Sequence, residues 1–344
     1  MKKNPIFFSI VLFLGCFSQP LFAKEPKLIF ALDVVRHGDR TPIRDIPSHV
    51  HHWQEGYGQL TPKGIQQHFE LGSKLRKKYI EQTSLLPERY QPGTIFARST
   101  DYDRTLMSAQ SLLLGLYPLP SCELPTSFQP IPIHTQHATD NDALHADTHG
   151  PAFQQAYEQY VKTHATWQAK DNALKHNYPR WSKVTGIHIT NLYQLISLGN
   201  TLFIYQSNNK SIPEGLTQKD VEEISAAGKW AFCFMFKPQP VAQAVGQPLL
   251  KEVFDYLKDA PHEKLKYVLL SAHDSTILAL MSALGVPLEE PPPYASQVHF
   301  AVYEITPNHY KVNISYNDKL LSLPACAERM CRLEELKHLV QLTQ

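Results

Sequence analysis

Arg36-His37-Gly38-Asp39-Arg40 places two guanidinium groups on either side of an imidazole. Arg98 opens a second group, Arg98-Ser99-Thr100-Asp101, and His273-Asp274 forms a third. Three arginines and two histidines gathered in one pocket repel each other unless an anion compensates them. The planar guanidinium fork fits the oxygens of a tetrahedral dianion and stays charged at any working pH. A neutral imidazole nitrogen among them can attack phosphorus. The pattern therefore predicts phosphoryl chemistry, with His37 as nucleophile and Arg36, Arg40, Arg98 and His273 holding the phosphate. Asp274, the carboxylate beside the second histidine, is the expected proton donor to the leaving oxygen.

These groups work together only if the fold makes them meet. Each follows an apolar run of strand length: residues 27–35 (KLIFALDVV), 94–97 and 267–271 (YVLLS). Ligand sites in α/β sheets lie beyond the carboxyl ends of the strands. A helical pattern spans residues 61–79, with Thr61 as cap, Pro62 in the first turn, and Ile65, Phe69 and Leu75 near one face. Further helices are expected over residues 103–116 and 275–284, and a strand pair over residues 298–305 and 309–315 with a Pro-Asn turn. The segment from about residue 138 to 240 is rich in His, Gln, Lys, Tyr and Trp, and its periodic pieces are helical. We expect an α/β fold: a central mixed, mostly parallel sheet flanked by helices (residues 24–137 and 241–344), with a smaller helical cap inserted at residues 138–240.

At 344 residues and 43% hydrophobic content, the chain is long enough for a large buried core. A net charge of +1 gives no bias toward nucleic acid or a membrane surface. Lys2 and Lys3, an apolar run over residues 6–17 and Ala23 read as a signal peptide spanning residues 1–23, too short to span a bilayer. A competing reading takes Leu14-Gly15-Cys16 as a lipoprotein cleavage site. Export, to a periplasm or to the medium, leaves Cys122, Cys233, Cys326 and Cys331, which allow three pairings. Cys326 and Cys331 could close a small loop. Cys122 with Cys233 then follows by elimination only, against the alternative of buried free thiols. His49, His51, His52, His134, His137, His145 and His149 lack the carboxylate or Cys spacing that would fix a metal geometry. We expect no metal and no other cofactor.

At RHGDRTP (36–42), GYGQLTPKGIQQHFELG (56–72), RSTDYDRTLMSA (98–109), QPIPIHT (129–135), SAHDST (271–276) and PPYAS (292–296), the chain resembles the histidine acid phosphatase branch of the histidine phosphatase superfamily. The resemblance implies His37 as the phosphorylated nucleophile and Asp274 as proton donor. It implies Arg36, Arg40, Arg98 and His273 as the phosphate pocket, and small phosphate monoesters as substrates. It also implies metal-independent hydrolysis at acidic pH, a Cys326–Cys331 disulfide and a possible homodimer. Ser275-Thr276 after Asp274 leans away from a phytase-like member. The alternatives are a phosphotransferase of the same superfamily and an exported phosphate-binding protein without turnover.

Overall fold

A computed structural model describes residues 25–118, 129–137, 142–146, 148 and 150–341. The expected signal peptide, Cys16, Cys122 and His149 lie outside the described residues.

The central strand is β1 (Lys27–Arg36), whose run from Phe30 to Arg36 is buried throughout. A strand covered on both faces needs a largely apolar run, and its one charged interior residue, Asp33, is satisfied by Tyr79, Gln297 and His299. The others are β2 (Ile95–Thr100), β3 (Ile133–Gln136), β4 (Tyr267–Ala272), β5 (Gln297–Thr306), β6 (His309–Tyr316), β7 (Lys319–Leu320) and β8 (Cys331–Arg332). They form one sheet in the order β3-β2-β4-β1-β5-β6-β7, with β8 also on β6. The sheet is mixed, as expected. β3, β2, β4 and β1 are mutually parallel, and β5 onward is antiparallel. Register sets Arg36 opposite Ala272 and Ser99 opposite Ser271, so the carboxyl ends of β1, β2 and β4 lie side by side. The turn between β5 and β6 places Asn308 at φ +63°, a conformation that asparagine tolerates better than most residues.

Helices α1 (Pro62–Arg76) and α2 (Asp103–Leu116) cover one face of the sheet. Thr61 caps α1 by accepting from the Gly64 amide, and Pro62 occupies the first turn. The buried face of α1 differs from the expected one. Ile65 and Phe69 are about 40% exposed, while Gly64, His68, Gly72 and Leu75 are buried. The periodicity of large apolar residues located this helix but not its buried face, because the helix packs through its glycines. A Cβ on Gly72 would lie 1.9 Å from the Leu112 carbonyl oxygen, and one on Gly115 would lie 2.1 Å from that of Phe69.

Between the two sheet halves run α3 (Pro151–Ala156), α4 (Ala165–Leu174), α5 (Tyr178–Thr185), α6 (Leu192–Ser207), α7 (Gln218–Phe234) and α8 (Gln239–Val245). Asn191 with Gln194, and Thr217 with Asp220, form capping boxes at α6 and α7. These helices bury Phe153, Trp167, Trp181, Leu195, Leu202 and Phe236 in a cluster of their own. Ile46 and Trp53 from the loop after β1 join that cluster, as does Leu278. The opposite face of the sheet is covered by α9 (Gln247–Asp259), α10 (Asp274–Ala283) and α11 (Leu333–Gln341).

Cys326 and Cys331 form a disulfide with Cα atoms 5.2 Å apart. Of the two readings left open for Cys233, pairing with Cys122 is not the one found: Cys233 is a buried free thiol on α7. Burial among the helices pushes that thiol up to about 12.

Candidate active site

The site is built where β1, β2 and β4 end. After β1 the chain turns at Gly38 against the first turn of α1. A Cβ there would lie 2.4 Å from the Gly64 carbonyl oxygen, so only glycine fits. The Gly38 amide donates to Ser108 of α2. His68 donates from Nε2 to the Arg36 carbonyl at 3.0 Å. The segment carrying His37 is thus tied to both α1 and α2.

His37 is buried, and its Nδ1 lies 2.8 Å from the Gly38 carbonyl oxygen. A carbonyl can only accept, so Nδ1 carries the proton and Nε2 is left with its lone pair. Burial first, and then the positive fields of Arg36 and Arg40, hold the imidazole well below its ordinary range. The same burial and positive fields favour its neutral form. The His273 ring is 5.6 Å from it, edge to face. Arg104 Nη2 lies 3.4 Å from His273 Nδ1, which accepts, and His273 Nε2 donates to Thr100 Oγ1 at 3.0 Å.

Arg36 pairs with Asp274 at 2.8 Å, donates to the Pro292 carbonyl, and has its guanidinium 4.2 Å over the Tyr294 ring. Arg40 donates to the Thr41 carbonyl and, at 3.2 Å, to Asn200 Oδ1 on α6. Asn200 thereby brings the inserted helices into contact with the pocket. Asp274 stands in the first turn of α10, where the helix dipole favours a negative charge. Burial alone would raise its proton affinity, but Arg36 and Arg40 outweigh that and keep it below the usual carboxylate range.

The structure brings Arg36, His37, Arg40, His273 and Asp274 together. It does not bring Arg98 to them. β2 runs on to Thr100, so Arg98 lies inside the strand rather than beyond its end. Its side chain takes the same side as Phe96, and its Nη2 reaches Glu252 of α9 at 2.8 Å and Asp142 at 3.4 Å. The third guanidinium at the pocket is Arg104, in the first turn of α2. Burial first, and then the neighbouring Arg40, push it down to about 10. The signal for Arg104 was present in the same motif: a strand-to-helix turn delivers the residue that opens the helix, six positions after Arg98.

The Nε–H groups of Arg36, Arg40 and Arg104 are buried and have no hydrogen-bond partner among the described residues, a feature Arg98 shares outside the pocket. Three guanidinium groups with donors to spare, near enough to His37 for their charge to act on it, suit an oxyanion. Among the described residues, no three His, Cys, Asp or Glu side chains group as metal ligands would. His49 and His51 are taken up by Ser211.

A mixed α/β sheet with this pocket beyond the ends of its parallel strands defines a phosphoryl-handling class of protein. The family model for "Histidine phosphatase superfamily (branch 2)" matches residues 27–317, and the chain belongs to that family. It is 32% identical to the lysosomal acid phosphatase of Xenopus laevis, over 94% of this chain and 78% of the relative. It is 31% identical to human prostatic acid phosphatase, over 94% and 86%. Its fold is similar to that of Hafnia alvei phytase in complex with myo-inositol hexakis sulphate, with a TM-score of 0.70 at 16% identity, over 92% of this chain and 97% of that one.

Proposed function

We propose that the protein is an acid phosphatase that hydrolyses phosphate monoesters through a covalent phosphohistidine on His37. The observation that carries this reading is the contact of His37 Nδ1 with the Gly38 carbonyl, which assigns the tautomer. Its Nδ1–H is held by the Gly38 carbonyl, and Nε2 stands free among Arg36, Arg40, Arg104 and His273. Nε2 attacks phosphorus while the bond from phosphorus to the ester oxygen breaks, and the proton of Asp274 goes to that oxygen. The arginines carry the charge on the equatorial oxygens. Water then attacks the phosphohistidine, Asp274 takes a proton from it, and the P–N bond breaks to restore neutral His37.

Asp274 is paired with Arg36 before substrate binds. A bound phosphate draws on Arg36 and adds negative charge beside the carboxyl, which raises its proton affinity. A donor with a low starting pKa is protonated only in acid, so activity falls as pH rises. The arginines supply the positive charge that a metal would otherwise bring, which supports a metal-independent reaction. The relatives named acid phosphatases favour general phosphomonoester substrates. The N-terminal pattern from Lys2 to Ala23, together with the Cys326–Cys331 disulfide, supports export to an oxidising compartment. We read the helices α3 to α8 as the cap over the pocket.

The test is p-nitrophenyl phosphate hydrolysis by the mature protein from pH 4 to 8 with excess EDTA, beside His37→Ala. Activity highest in acid, kept in EDTA and lost in the variant is expected. A rate that climbs to pH 8, or that EDTA abolishes, would refute the mechanism.

A further inference from the structure

Arg98, although absent from the pocket, holds a short turn that carries another imidazole to the pocket's rim. Its two carboxylate partners are Glu252 and Asp142. Asp142 caps the one-turn 3-10 segment Ala143–His145 by accepting from the Leu144 amide at 2.9 Å. Leu144 is fully buried, and its carbonyl accepts from Thr276 Oγ1 at 2.7 Å, two residues past Asp274. The turn is therefore fixed to both the sheet and α10.

Its last residue, His145, has its ring centre 5.9 Å from that of His273. Its Nε2 lies 3.3 Å from the Tyr102 hydroxyl, its only hydrogen-bond partner among the described residues. Tyr102 meets His273 edge to face at 5.1 Å, and the Arg104 guanidinium lies 4.6 Å over its ring. Both His145 and Tyr102 are partly exposed, whereas His37 and His273 are buried. The pair thus stands outside the phosphoryl position and beside the group attached to it. Asp142 and Glu252 are committed to Arg98, so they do not compete with a ligand anion for the imidazole. No step of the proposed reaction uses His145 or Tyr102.

We propose that His145 and Tyr102 form a specificity site for the leaving group, and that it takes esters whose leaving group carries a second anion, a carboxylate or another phosphate. The inference rests on the phosphatase reading and adds the substrate class. Arg98 acts in it as a positioning residue, through Asp142.

Two matched pairs test it. 2-Phosphoglycerate and glycerol 2-phosphate differ by a carboxylate in place of a hydroxymethyl group. Fructose 1,6-bisphosphate and fructose 6-phosphate differ by the second phosphate. The readout is the kcat/KM of the more anionic member divided by that of its partner. His145→Ala is expected to lower this ratio about tenfold, mainly through the KM of the anionic member, in keeping with one lost charge-assisted hydrogen bond. His145→Gln should retain part of it, and Arg98→Met should lower it in the same direction. Which pair responds tells carboxylate from phosphate. Ratios within twofold of wild type in both pairs, in variants that keep the native circular dichroism, would overturn the proposal. If no substrate turns over, the phosphatase reading has failed. The same ratios taken as Kd by calorimetry then decide the specificity site, with the same tenfold expected and no change overturning it.

Discussion

In the proposed reaction Arg104 donates where negative charge grows as the phosphoryl group is transferred. Preorganised donors of this kind are each worth about 10²- to 10³-fold in rate. Arg104→Ala should therefore lower kcat by about that factor in p-nitrophenyl phosphate assays, with thermal stability close to wild type; a loss under tenfold would place Arg104 outside the reaction. His68 makes a different contribution. Burial lowers it from 6.5 to about 4 while it donates to the Arg36 carbonyl. Unfolded, it takes up a proton as pH falls past 6.5; folded, it resists until about 4. Its contribution to stability is present above 6.5 and is lost progressively across that window. His68→Gln, which retains an N–H donor, should flatten the dependence of Tm on pH between 6.5 and 4. Curves for variant and wild type that stay parallel would contradict this.

The crossing of α1 and α2 depends on backbone contact. Gly72 sits against Leu112, and Gly115 against Phe69, closer than any side chain allows. α1 supplies Gly64 beneath the His37 turn, and α2 supplies Arg104 and Ser108, so the spacing of this pair sets the pocket. Overpacking typically costs about 1–3 kcal/mol, and the approach here is close enough to place Gly72→Ala at the upper end. Urea unfolding should show a lower midpoint with an unchanged slope. A midpoint within error of wild type would mean that the helices separate without cost. The glycines were readable in the sequence, but their role was not. Periodicity counts large apolar side chains, and on that count Ile65 and Phe69 looked buried when they are exposed.

The four tryptophans, Trp53, Trp167, Trp181 and Trp230, all belong to the cluster of inserted helices. Their fluorescence therefore reports that region alone, while far-ultraviolet circular dichroism reports the whole chain. Ile46 and Leu278 tie the cluster to the loop after β1 and to α10. The two probes should give coincident thermal transitions; a fluorescence midpoint several degrees apart would show that the helices unfold separately. At this scale the division between sequence and structure follows the range of the forces involved. The sequence alone determined the runs of β1, β4, β5 and β6, the Thr61 cap and the grouping of Arg36, His37, Arg40, His273 and Asp274. Each of these is encoded by neighbouring residues and by the rule that ligands gather at strand ends. Only the tertiary structure decided that Arg104 rather than Arg98 joins them, that Asn200 reaches Arg40 from α6, and that His145 stands at the rim. Those outcomes depend on the residue at which β2 ends and on partners far along the chain, Glu252 among them, and no local pattern records either.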